Sequence, residues 1–99
     1  MQNLEELESK FNTAVELMAG YKDRIEDLKA DNDTLLDIYG LFKQVTCGDC
    51  NIKQPFIFNL RDTAKYNAWD SFKGKSKDYS MKLYVKRVNK LLVIENTIK

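Results

Sequence analysis

Over its first thirty residues the chain repeats apolar side chains at alternating spacings of three and four: Leu4, Leu7, Phe11, Ala14, Met18, Tyr21, Ile25 and Leu28. This is the period of an α-helix with one buried face. Asn3 and Glu6, three apart at its start, fit a capping box. The same spacing would serve a coiled-coil seam. However, Phe, Ala, Met and Tyr stand where such a seam takes Leu and Ile, and Gly20 weakens its middle. The pattern predicts a core-facing amphipathic helix broken after Gly20, with 20–30 either a helical extension or an ordered loop.

A second helix is predicted from Asp31-Asn-Asp-Thr34, whose short polar side chains accept the free N–H groups of a first turn. Leu35, Ile38, Tyr39, Phe42 and Val45 follow at helical spacing to about Thr46, and Gly48 ends the run. Residues 48–61 read as irregular, with Pro55 holding Gln54 out of helix. Phe56, Ile57, Phe58 and Leu60 make this loop too apolar for solvent, so it is expected to fold back on the body or line a groove; a strand there would lack a partner. Asp62 or Thr63 is expected to cap a third helix running through Lys65, Tyr66, Trp69 and Phe72 to Lys73, stopped by Gly74. Ser76-Lys-Asp-Tyr79 opens a fourth, with a stripe of Met81, Tyr84, Val85, Val88, Leu91 and Leu92.

Composition agrees with four helices. One proline and four glycines are too few for a turn-rich sandwich, and 99 residues suit one domain, 1–99, with a single core. The net charge of +1 hides a division: residues 1–38 carry −6 and residues 39–99 carry +7. The basic part suggests an anionic ligand, the alternative being two unrelated solvated faces. Histidine is absent, which removes Ser-His-Asp and Cys-His nucleophile systems and every His-ligated metal. The start lacks the blocks of a signal peptide, and no apolar run approaches the ~20 residues of a membrane span. A soluble protein of the reducing cytoplasm is expected.

Cys47-Gly-Asp-Cys50 matches a redox dithiol or half a zinc site. Zinc needs two further ligands, and no third cysteine or any histidine supplies them. A redox pair normally sits at a helix N-terminus, whereas Cys47 falls at a helix C-terminus. The pair therefore reads as small apolar fillers beside a glycine turn.

Cations recur beside aromatics. Tyr39 and Lys43 share a helical face, Lys65 adjoins Tyr66, and Lys82 stands near Tyr84. Lysines neutralise phosphates and tyrosine faces stack on adenine, although core packing and ordinary surface account for single instances. Single-stranded nucleic acid suits the same chemistry, but it wants a longer basic track and the acidic first helix would repel it.

The segments Tyr39-Gly-Leu-Phe-Lys-Gln-Val-Thr-Cys-Gly-Asp-Cys-Asn51, Pro55, Ala64-Lys-Tyr-Asn-Ala-Trp69, Lys73-Gly-Lys-Ser-Lys-Asp78 and Met81 to Tyr84 together resemble the acyl-CoA-binding protein family. The match is strongest over 35–92 and extends weakly to Phe11, Ala14 and Val15. The resemblance implies an all-α, four-helix up-down-down-up bundle that binds long-chain acyl-CoA one to one as a monomeric carrier and buffer, with no catalysis, cofactor, metal, nucleic acid or membrane insertion. It implies that Tyr39, Lys43 and Lys65 hold the adenine and 3′-phosphate end and that Tyr84 joins the nucleotide pocket. Leu35, Phe11 and Val15 would line the acyl and pantetheine path. Phe42, also expected among the ligand-binding residues, stands where the family often has tyrosine, and Tyr66 where it often has tryptophan. The first connection is longer than in compact members, leaving Lys22 and Arg24 as candidates for a further phosphate contact. A coiled-coil interaction module or a single-stranded nucleic-acid binder is the alternative function.

Overall fold

The computed structural model describes residues 3–28, 30–54 and 59–98, the side chains of 25 and 93–98 excepted. Four helices, α1 (Leu4–Ala19), α2 (Asn32–Cys47), α3 (Leu60–Asp70) and α4 (Lys77–Ile98), form an up-down-down-up bundle, with no strand among the described residues. Central α2 packs on α3 and α4, and α1 packs on α4.

The first cap is where the sequence places it: the Glu6 N–H donates to Asn3 Oδ1 at 2.8 Å. Leu7, Phe11 and Ala14 are buried while Leu4 and Leu17 are exposed, so α1 lays one face on the bundle rather than forming a seam. Residues 20–28 form an ordered loop rather than a continuation of α1. Turns lead into a short 3₁₀ turn, Ile25–Leu28, which seats Leu28 in the core at 1% exposure and contacts α4.

At the head of α2, Asp31 accepts from the Thr34 N–H at 2.7 Å. Its other end is closed by Gly48, whose φ of 79° favours glycine, with its N–H on the Gln44 carbonyl at 3.1 Å. Asn59 caps α3, correcting the expected Asp62 or Thr63. The Asp62 N–H donates to Asn59 Oδ1, and Asn59 Nδ2 donates to Asp62 Oδ2 at 2.8 Å, so Asp62 completes the cap from inside. The helix gives way to turn after Asp70 rather than running to Lys73. Ser76 opens α4 as expected, its Oγ accepting from the Tyr79 N–H at 3.0 Å. Pro55, Phe56, Ile57 and Phe58, on which the apolar-loop reading rested, lie outside the described residues.

The core joins Leu7, Phe11, Ala14 and Leu28 to Ile38, Leu41 and Val45 of α2 and to Met81, Tyr84, Val88 and Leu91 of α4. Against α3, α2 presents Gly40. A Cβ built there would lie 2.5 Å from the Ala68 carbonyl oxygen, so the two backbones nearly touch.

A polar staple ties the C-terminal ends of α2 and α3 together. Asp49 Oδ1 accepts from Gln44 Nε2 and from the Gly74 N–H, each at 2.8 Å. Gln44 Nε2 also donates to the Lys75 carbonyl at 3.0 Å, and Trp69 Nε1 donates to the Gly48 carbonyl at 2.8 Å. The Gly74 N–H, then Gln44, hold the Asp49 carboxyl below the usual carboxylate range, and the Thr34 bonds do the same for Asp31. A carboxyl lowered on folding contributes stability above its unfolded value near 4 and loses it as pH falls through the folded value. Melting temperature should therefore drop below about pH 4. Thermal melts of Asp49→Asn should show a shallower drop over the same range, and an identical pH profile would remove Asp49 from the staple.

Candidate functional site

Because α2 and α3 run in the same direction, residues one turn apart on each meet in register. Lys65 Nζ lies 5.3 Å from the centre of the Tyr39 ring, and one turn on Lys43 Nζ lies 4.8 Å from the centre of the Trp69 ring. The result is two cation–aromatic rungs across the helix pair. Gly40 and Ala68 lie between them and let the rungs close.

Beside the first rung opens a groove of about 860 Å³, lined by Lys22, Asn32, Leu35, Leu36, Tyr39, Arg61, Ala64 and Lys65. Among the described residues, three cations, one aromatic face and two leucines thus share one hollow, and no acidic side chain lines it. A ligand with anionic groups, a flat ring and an apolar portion meets complementary chemistry there.

The expected site residues divide between two places. Leu35, Tyr39 and Lys65 line the groove, and Lys43 stands on the next rung. Phe11, Phe42 and Tyr84 instead form an aromatic cluster within the bundle. The Phe11 ring centre is 4.9 Å from Tyr84 edge-on and 6.5 Å from Phe42. Val15 packs half-buried against the core that holds them. Tyr84 is only 3% exposed, and burial pushes its phenol up to about 12. It does not line the groove.

Of the two candidates in the long connection, Lys22 reaches the groove. Arg24 is engaged elsewhere: its guanidinium sits 4.3 Å from the Tyr21 ring centre, donates to the Gly20 carbonyl and lies 3.6 Å from Asp27. Arg61, Leu36 and Asn32 were not singled out from sequence. Arg61 carries the one available signal, a cation one turn before Lys65.

The cysteines depart from the filler reading in part. Cys50 is half-buried, but Cys47 is exposed, with Thr46 Oγ1 at 3.6 Å from its sulfur; both are free thiols. Among the described residues no cluster of three or more Cys, Asp or Glu side chains could hold a metal ion, and no helix is long and apolar enough to cross a membrane.

Comparison with known proteins bears on family and fold. The family model described as "Acyl CoA binding protein" matches residues 8–88. An acyl-CoA-binding protein of Dictyostelium discoideum is 51% identical over 57 residues, covering 58% of this chain and 68% of that protein. Among solved structures, the rice acyl-CoA-binding protein 2 superposes with a TM-score of 0.80 at 34% identity, over 91% of this chain and 92% of that one. The protein from Moniliophthora perniciosa gives 0.81 at 33% identity, over 89% and 82%.

Proposed function

The chain belongs to the acyl-CoA-binding protein family, and from that premise we propose that it binds long-chain fatty acyl-CoA esters one to one. It acts as a monomeric carrier and buffer for them in the cytoplasm, without catalysis. The observation that carries this reading is the groove on which Lys22, Arg61 and Lys65 converge beside the Tyr39 ring and Leu35 and Leu36. Its volume lies in the upper part of the ~300–1,000 Å³ range of small-molecule sites.

In this mechanism the ligand is held at two ends. Lysine and arginine neutralise phosphate, with each charge-assisted bond contributing about 1.5–3 kcal/mol, while Tyr39 stacks on the adenine. Lys43, on the next rung, serves the same phosphate end. The acyl chain leaves water along Leu35 and Leu36 at ~0.8 kcal/mol per buried methylene as an upper bound. Phe11, Val15, Phe42 and Tyr84 act from inside the bundle, where their packing fixes α2 against α1 and α4. Neither end alone offsets the several kcal/mol of freedom lost on association.

Calorimetric titration with palmitoyl-CoA, coenzyme A and palmitate tests this. Tight one-to-one binding of the thioester is expected, with both fragments at least tenfold weaker. Absence of saturation by palmitoyl-CoA would overturn the reading, and release of free thiol during incubation would replace the carrier with an enzyme.

A further inference from the structure

Acyl-CoA binding leaves the cysteine motif unused. We propose that Cys47 and Cys50 are a reversible oxidation site whose disulfide turns the Gly48 carbonyl away from Trp69 and thereby lowers affinity for acyl-CoA. The effect on affinity rests on the binding function proposed above; the effect on Trp69 does not.

Gly48 has φ 79° and ψ −154°, and the chain bends at Asp49, the other residue between the two cysteines. A disulfide needs Cα atoms about 4.4–6.8 Å apart, and the two residues between Cys47 and Cys50, one of them a glycine, let the chain close to that span. Access is unequal: Cys47 is exposed and Cys50 half-buried. Cys47 therefore reacts first and Cys50 resolves.

The chemistry needs a disulfide oxidant, for which glutathione disulfide serves. The Cys47 sulfur attacks one sulfur of the oxidant, forming a mixed disulfide and releasing one glutathione thiol. The Cys50 sulfur then displaces the second glutathione. Two protein S–H bonds are lost, one intramolecular S–S bond forms, and the oxidant's S–S bond is reduced to two thiols. A dithiol reductant runs the sequence backwards.

The consequence follows from what lies between the cysteines. Closing the ring constrains the two peptide units between the cysteines, and ψ of Gly48 sets where its carbonyl points. That carbonyl is the acceptor for Trp69 Nε1 at 2.8 Å. The Trp69 ring in turn carries Lys43 at 4.8 Å, and neighbouring Asp49 holds Gln44 and Gly74. The disulfide thus acts on a proposed phosphate-binding lysine through one indole ring.

Trp69 is the chain's sole tryptophan, so its emission reports this directly. The test incubates the full chain with glutathione disulfide, then with dithiothreitol. Mass, tryptophan emission and palmitoyl-CoA affinity are measured at each stage, with Cys47→Ser/Cys50→Ser alongside. Expected on oxidation are a mass lower by two hydrogen atoms, altered emission and about three- to tenfold weaker binding, all reversed by the reductant. The double variant should bind like the reduced protein and respond to neither reagent. No intramolecular disulfide, or a complete disulfide with unchanged emission and affinity, would overturn the proposal. Failure of the reduced protein to bind palmitoyl-CoA would overturn the binding function instead, while mass and emission would still decide the switch at Trp69.

Discussion

Replacing Lys65 with alanine should weaken palmitoyl-CoA and free coenzyme A alike, by about ten- to a hundredfold in calorimetric titration. Loss of one charge-assisted bond to phosphate, about 1.5–3 kcal/mol, sets that size. Two features of Lys65 make the result interpretable. It is exposed, so the variant should keep the wild-type melting temperature. It also lies over Tyr39 inside the groove, so both adenine stacking and phosphate binding lose a neighbour. Lys43→Ala should act in the same direction. An unchanged coenzyme A affinity in the Lys65 variant would remove that side chain from the phosphate end.

The second large effect concerns stability. At Gly40 two effects of a Gly→Ala change oppose each other. Helix propensity favours alanine by about 1 kcal/mol. Against this, the new methyl would lie 2.5 Å from the Ala68 carbonyl oxygen and 2.8 Å from its carbon, both backbone atoms that no rotamer change can move. Overpacking costs about 1–3 kcal/mol where side chains can give way, and a backbone neighbour puts this case at the upper end or beyond. The clash should win, lowering the melting temperature by on the order of 10 °C. As α2 and α3 separate, the Lys65–Tyr39 and Lys43–Trp69 rungs should also open, so affinity should fall in parallel. A Gly40→Ala protein as stable as wild type would mean that the helices move apart at little cost.

Much of this fold was legible in the sequence because local rules and burial agreed. Asn3, Asp31 and Ser76 are short polar residues at helix starts, and each caps where pattern placed it. The start of α3 was misjudged for a physical reason. Asn59 and Asp62 are both good caps three apart, and only the folded chain shows which accepts from the other's backbone. The groove was partly legible. Tyr39 and Lys65 stood out through their neighbours, whereas Lys22 lies where the chain leaves the helix after Ala19, so the apolar repeat that continues through the segment does not tell where its side chain points. Tyr84 marks the opposite difficulty. An apolar stripe says that a residue is buried, but not whether it faces a groove or the core, and here it meets Phe11 and Phe42.

The two rungs also bear on how fast a ligand is captured. Among the described residues the ion pairs are Arg24–Asp27 and Arg87–Asp37, and neither involves Lys43 or Lys65. These two ammonium groups rest on ring faces, which steady them without cancelling their charge. An incoming polyanion need not break a carboxylate contact to recruit them, and it feels their field from about a Debye length away. Association should accordingly be electrostatically steered, with a rate that falls as ionic strength rises, while dissociation is set by the apolar part of the ligand and responds little to salt.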